Sequence, residues 1–221
     1  MITVHHLENS RSQRILWLLE ELELDYDLKC YERDPQTLLA PERLKAVHPL
    51  GKSPVITDGE ITVAESGAII EYLVETYGQG RLVPTEPDNR RHYRYWLHYA
   101  EGSLMPWLVM KLVFGRLPKS PDMPFFLRPV AKKIMNQAQT QFLDPQLQTN
   151  LDFIEASLQD QDWLAGDFSA ADIQMSFPLE TASNRVDLDA YPHIQAFLQR
   201  YQARPAYQRA IAKGGALEPL A

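Results

Sequence analysis

The stretch from Gly51 to Tyr72, GKSPVITDGEITVAESGAIIEY, constrains this chain more than any other. It reads as strand, tight turn, strand and helix start, an order that few folds use. Two short runs, PVIT and EITV, flank Asp58-Gly59, a pair suited to the positive backbone angles of a two-residue hairpin. Pro54 cannot donate to a sheet ladder, so it stands at a strand start or an edge. The backbone of Val55 is then free to pair with something other than a sheet. Beyond the hairpin, the acid–hydroxyl pair Glu65-Ser66 opens a helix, whose N-terminal amides form an anion site. A peptide-like ligand carrying a carboxylate fits both halves.

The rest of the first 80 residues supplies the partners of that segment. ITVHH alternates as a short strand over residues 2–5. In ENSRSQRILWLLEELEL, Ile15, Leu16, Leu18, Leu19 and Leu22 recur at helical spacing, and Ser10 with Gln13 fits a capping box that starts the helix near residue 10. DYDLKCYE gives a second strand over about 26–31. A short helix from Pro41 to Val47 ends before His48-Pro49, because a residue preceding proline avoids helical angles. Thr62-x-x-Glu65 offers another capping box. The order β-α-β-α-β-β-α over residues 1–80 is a thioredoxin-like layout with a mixed sheet.

Residues 81–89, rich in proline and polar side chains, read as a linker, and residues 90–221 read as helical throughout. Asp144-Pro145 has the form of an N-cap followed by proline at the first helical position. Ser169-x-x-Asp172 repeats the hydroxyl-to-acid capping spacing, with Asp in place of Glu or Gln.

Composition narrows the function. A net charge of −7 excludes a general binder of nucleic acid or anionic membrane. No run of about 18 apolar residues is present to span a membrane, and the N-terminal residues lack the pattern of a secretory signal. Cys30 is the single cysteine, so no internal disulfide or CxxC site exists; in its strand it reads as a buried structural residue. His5 and His6 are strand neighbours facing opposite ways, without metal-ligand spacing around them. A cytoplasmic protein without a metal is expected.

Three motifs together resemble the cytosolic glutathione transferase superfamily across nearly the whole chain. They are GKSPVITDGE leading into AESGAI, the segment LAGDFSAADIQMSFPL, and the opening ENSRSQRILWLLEEL. The chain is most similar to bacterial and fungal members with serine, threonine or asparagine at the first turn. The resemblance implies an α/β thioredoxin-like N-terminal domain plus an all-α C-terminal helical domain. It implies that Pro54 is a cis proline, that Val55 offers its backbone to the cysteinyl part of glutathione, and that Glu65 and Ser66 bind the γ-glutamyl end. Lys52 would partner the glycyl carboxylate, while Ser169 and Asp172 would serve folding. It further implies a homodimer, glutathione as co-substrate, and a small hydrophobic electrophile or a disulfide as second substrate, in a detoxifying transferase. The alternatives are a glutathione-dependent disulfide reductase and a non-catalytic glutathione-binding protein of the same fold.

The chemistry asks little of the protein. A cysteine-type thiol has a pKa near 8.5. Lowering it by about two units requires roughly 2.7 kcal/mol of preference for the thiolate. A hydrogen bond to an anion contributes about 1.5–3 kcal/mol, so one hydroxyl donor beside the positive end of a helix is sufficient. Ser10 and Asn9 compete for that role, Ser10 being favoured, with Arg11 adding positive potential. Ser10 also reads simply as a helix cap. The stripe Tyr95, Tyr99, Trp107 and Phe114, with Met105 and Met110, suits either a pocket for an apolar electrophile or the core of a helix bundle.

Overall fold

The computed structural model describes residues 1–34, 37 and 39–218. Strands β1 (Ile2–Leu7), β2 (Tyr26–Tyr31), β3 (Val55–Asp58) and β4 (Ile61–Ala64) form one sheet in the order β2-β1-β3-β4. β1 runs parallel to β2 and antiparallel to β3, and β3 runs antiparallel to β4. Helices α1 (Gln13–Glu21), α2 (Glu42–Lys45) and α3 (Ser66–Tyr77) complete the thioredoxin-like domain. Helix α1 supplies Ile15, Leu16, Trp17, Leu18 and Leu19 to the core, all fully buried. β2 is an edge strand, and Cys30 on it is exposed rather than buried as its strand setting suggested.

The hairpin differs by one residue from the sequence reading. Asp58 still pairs with Ile61, so the turn is Gly59-Glu60, with Gly59 at φ 58°. Glycine at the first central position suits a turn of the II′ kind. Asp58 is kept in the strand because its carboxylate accepts hydrogen bonds from Tyr72 (2.9 Å) and Tyr77 and faces the N-terminal amine at 3.6 Å.

The second domain is helical: α4 (Pro87–Tyr99), α5 (Met105–Arg116), α6 (Arg128–Ala138), α7 (Asp144–Ser157), α8 (Ala170–Ser183), α9 (Pro192–Gln202) and α10 (Pro205–Gly214). α4 begins inside the stretch read as linker, with Pro87 in its first turn and Glu86 capping the amide of Asn89. Asp144 does not cap a new helix. Residues 139–143 form a π-helical turn that joins α6 to α7, just as residues 100–104 join α4 to α5. Both wide turns lie just before a proline, Pro106 or Pro145, and each contains the carbonyl four residues back from it, which that ring would otherwise crowd. The Ser169–Asp172 capping box is present: Asp172 Oδ2 accepts from Ser169 N (2.8 Å) and Oγ (3.0 Å), and Oδ1 accepts from Leu164 N (2.9 Å).

Candidate active site

Where the two domains meet, a cleft of about 230 Å³ opens beside the turn between β1 and α1. Ser10, Arg11, Lys52 and Ser53 line one side, and Met105, Val109 and Phe177 of the helical domain line the other. Arg33 and Arg185 also reach it. In a chain of net charge −7, this concentration of cations gives the cleft a local positive potential suited to an anion.

Helix α1 starts at Gln13, three residues later than the capping-box reading of Ser10 placed it. Residues 10–13 form a turn instead, closed by Gln13 N to Ser10 O at 3.2 Å. This frees the Ser10 side chain from a capping role. Its oxygen accepts from Ser12 N (3.3 Å) and lies 2.8 Å from Ser12 Oγ and 3.3 Å from Ser53 Oγ. Asn9 is at φ 49°, and its amide group is occupied elsewhere. Its Nδ2 donates to Glu218 O (3.0 Å) and its Oδ1 accepts from Glu218 N (3.2 Å), clasping the C-terminal segment to the turn.

A cis peptide bond links Ser53 to Pro54, as the resemblance implied. Val55 is not free, however. It is fully buried and stands in register with His5 of β1 on one side and Ala64 of β4 on the other. The residue on the other flank of the proline has the open backbone: among the described residues, neither N–H nor C=O of Ser53 makes a backbone hydrogen bond. The Ser53 hydroxyl holds this segment in place, accepting from Leu7 N (3.4 Å) and donating to His5 O (3.2 Å). Because the residue before a proline is driven to extended angles, Ser53 was the signal available in the sequence.

Glu65 and Ser66 are adjacent but differ in environment. Glu65 is exposed, at φ 73°, a conformation few non-glycine residues adopt; its side chain caps nothing, so the Thr62–Glu65 capping box does not form. Ser66 is buried and accepts from Arg14 Nη2 at 2.7 Å, leaving its own proton to donate. Arg14, missed in the sequence, is fully buried. Its Nη1 donates to Gln174 O (2.6 Å), and its Nη2 also donates to Glu101 in the π-helical turn. The Gln174 carbonyl is available because the residue four further on is Pro178, which has no N–H to give it. Burial lowers the Arg14 pKa, and the Glu101 carboxylate opposes that shift. A second arginine, Arg11, meets the same carboxylate at 3.1 Å. Lys52 is exposed at the cleft rim.

Of the apolar stripe, Met105 alone lines this cleft. Tyr95, Tyr99 and Trp107 line a separate hollow, and Phe114 packs against the core.

Comparison with known proteins identifies the family and the fold. Residues 10–76 match the family described as "Glutathione S-transferase, N-terminal domain", and residues 120–205 match "Glutathione S-transferase, C-terminal domain". Glutathione S-transferase 3 of Schizosaccharomyces pombe is 38% identical over 96% of this chain and 88% of its own. The disulfide-bond oxidoreductase YfcG of Escherichia coli is 29% identical over 96% of this chain and 95% of its own. A crystal structure of a glutathione S-transferase from Actinobacillus pleuropneumoniae superposes with a TM-score of 0.82 at 36% identity, covering 99% of this chain and 95% of that one. With both domains matched and the relatives covered nearly end to end, the chain belongs to the glutathione S-transferase superfamily.

Proposed function

We propose that this chain is a glutathione transferase in which Ser10 contacts the glutathione thiol and holds it as the thiolate for attack on an electrophile. The supporting observation is the shared cleft. Ser10 lies at the positive end of α1, the unpaired backbone of Ser53 lies beside it, and cationic side chains line the same opening. An extended tripeptide pairs its cysteinyl N–H and C=O with Ser53, which takes the part first expected of Val55. Its γ-glutamyl carboxylate receives the Ser66 hydroxyl, whose position Arg14 fixes, and its ammonium faces the exposed Glu65 carboxylate. Pro54 shapes the turn, and Lys52 meets the glycyl carboxylate. Met105, Val109 and Phe177 give the apolar wall for the electrophile.

Glutathione retention, turnover of chlorodinitrobenzene and reduction of hydroxyethyl disulfide test this reading together. Retention with conjugation is expected, and retention without either turnover favours a binding protein. The similarity to YfcG supports disulfide reduction as a second activity, run with the thiol of glutathione because the turn carries none of its own. Ser10→Ala is expected to raise the pKa of the bound thiol by one to two units, from the loss of about 1.5–3 kcal/mol of anion hydrogen bonding. Asn9→Ala is expected to leave it nearly unchanged. Thiolate absorbance against pH reads both, and the reverse order would transfer the role to Asn9.

We further propose a cytoplasmic homodimer. Tyr95 and Phe153 are nearly half exposed and lie beside two adjoining hollows on the outer face of α4 and α7, an apolar surface that a second copy would cover. Light scattering on a size-exclusion column tests this, with a single-chain mass overturning it.

A further inference from the structure

Behind Ser10 runs a chain of hydrogen bonds that none of the proposed ligand contacts uses. Ser10 Oγ lies 2.8 Å from Ser12 Oγ, Ser12 Oγ lies 2.8 Å from His6 Nδ1, and His6 Nε2 lies 2.9 Å from the carbonyl oxygen of Gly214. Its direction follows from the last link. A carbonyl only accepts, so Nε2 carries a proton and donates to Gly214. Burial lowers the His6 pKa, while the Gly214 carbonyl and the Glu8 carboxylate raise it. The ring is therefore neutral at neutral pH and its Nδ1 is a bare acceptor. Ser12 must then donate to His6, and the short Ser10–Ser12 contact requires the Ser10 proton to lie between the two oxygens. The Ser10 proton has a second acceptor in Ser53 Oγ at 3.3 Å, and the shorter 2.8 Å contact to Ser12 takes it, so that at rest every hydroxyl in the chain points away from the cleft. Ser10 thus presents a lone pair to an arriving thiol.

We propose that Ser10, Ser12 and His6 form a proton relay that takes the thiol proton of glutathione inward as the thiolate forms. The S–H bond breaks and its proton passes to Ser10 Oγ. The proton of Ser10 passes to Ser12 Oγ, and that of Ser12 passes to His6 Nδ1. No electrons are exchanged. The products are a thiolate, two neutral hydroxyls and an imidazolium, with every hydroxyl reversed. Ser10 now donates to the sulfur, so the transfer that creates the anion also creates its donor. His6 and Ser12 act through Ser10 and are positioning residues.

The fold supports a cation at His6. Gly214 is the last residue of α10, and its carbonyl belongs to the negative end of that helix. The groups acting on the ring are Glu8 at the end of its own strand, Ser12 before α1 and the Gly214 carbonyl from α10, with the neutral side chains of Gln13 and Leu16 from α1 gathered at the same helix end. None carries a competing positive charge. The approach of α10 is close: a Cβ at Gly214 would lie 2.4 Å from Leu16 Cδ1 and 3.1 Å from His6 Cε1.

The relay rests on the proposed contact between Ser10 and the thiol, and the experiment separates the two. Glutathione is titrated into the full chain at neutral pH in buffers of different ionisation enthalpy, which counts the protons released, while ultraviolet absorbance counts the thiolate formed. Release is expected to fall short of thiolate, because the proton stays on the protein. In Ser12→Ala the shortfall is expected to vanish and the thiolate fraction to drop several-fold. Equal release and thiolate in the unaltered chain overturns the relay, as does a shortfall that persists in Ser12→Ala. The imidazole signal of His6, identified by its loss in His6→Asn, is expected to move to the imidazolium position with glutathione but not with S-methylglutathione. An identical response to both ligands overturns the relay, and this comparison is made in the unaltered chain, His6→Asn serving only to assign the signal. If Ser10→Ala leaves the thiolate fraction intact, the Ser10 contact and the relay both fail. If Ser10→Ala lowers it while the shortfall is absent, the contact stands and the relay alone is overturned.

Discussion

Glu65 is held at φ 73° between β4 and α3 without a cap to compensate, a conformation that costs of order 1–3 kcal/mol for a residue with a side chain. Glu65→Gly is expected to leave stability unchanged or raise it by about 1 kcal/mol, the strain relief exceeding the greater chain entropy of glycine. Glutathione affinity is expected to fall in the same variant. Urea unfolding and ligand titration read the two effects, and a stability loss would count against the strain. His5 and His6 give a second test at this scale. Both have pKa values below the ordinary 6.5, burial being the first cause for each. Unfolded imidazoles therefore bind protons where the folded ones do not, and their contribution to stability is lost as pH falls from about 6.5 through the lowered values. Asp172 acts with opposite sign, because burial pushes its carboxyl up to about 6. The clean readout is thus a difference: the melting temperature is expected to fall less steeply on acidification in His6→Asn than in the unaltered chain.

The elements show what a sequence can carry and what it cannot. The Ser169–Asp172 box was legible because a cap is local: both residues lie within one turn, and Asp172 also holds Leu164 N. Asp172→Ala strands two buried N–H groups and is expected to cost about 3 kcal/mol, with Asp172→Asn between, as measured by chemical denaturation. The hairpin and its proline were equally legible, to within one residue. Arg14 was not. Its partners are 52, 87 and 160 residues away, and one of them is a carbonyl released by a proline in a different helix. The open backbone at Ser53, rather than Val55, depends on which residues the neighbouring strands cover, and that follows from register. The start of α1 was placed early because Ser10 and Gln13 have capping spacing, whereas the turn there uses Ser10 O and leaves its hydroxyl to Ser12.

At the scale of the molecule, α1 is shared between the two domains. Trp17 is fully buried among Phe168, Tyr201 and Tyr207, with ring centroids 5.2–5.8 Å away. Glu21 takes a two-pronged contact from Arg204 at 2.6 and 2.8 Å, and Glu20 meets Arg209 at 2.8 Å and Lys213 at 2.6 Å. With its first helix packed into the second domain's core, the thioredoxin-like domain is expected to unfold together with it. Tryptophan fluorescence and far-ultraviolet circular dichroism should give coincident denaturation curves, and two separated transitions would contradict this.

Gly214, where α10 meets His6, also sets a limit on how related sequences diverge. A side chain at 214 lifts the helix end off the imidazole, and a different residue at 6 removes the reason for that closeness. Positions 6 and 214, separated by nearly the whole chain, are therefore expected to be coupled in one direction: lineages that keep histidine at 6 will keep glycine at 214, and variation at 214 will be found where histidine at 6 has been lost.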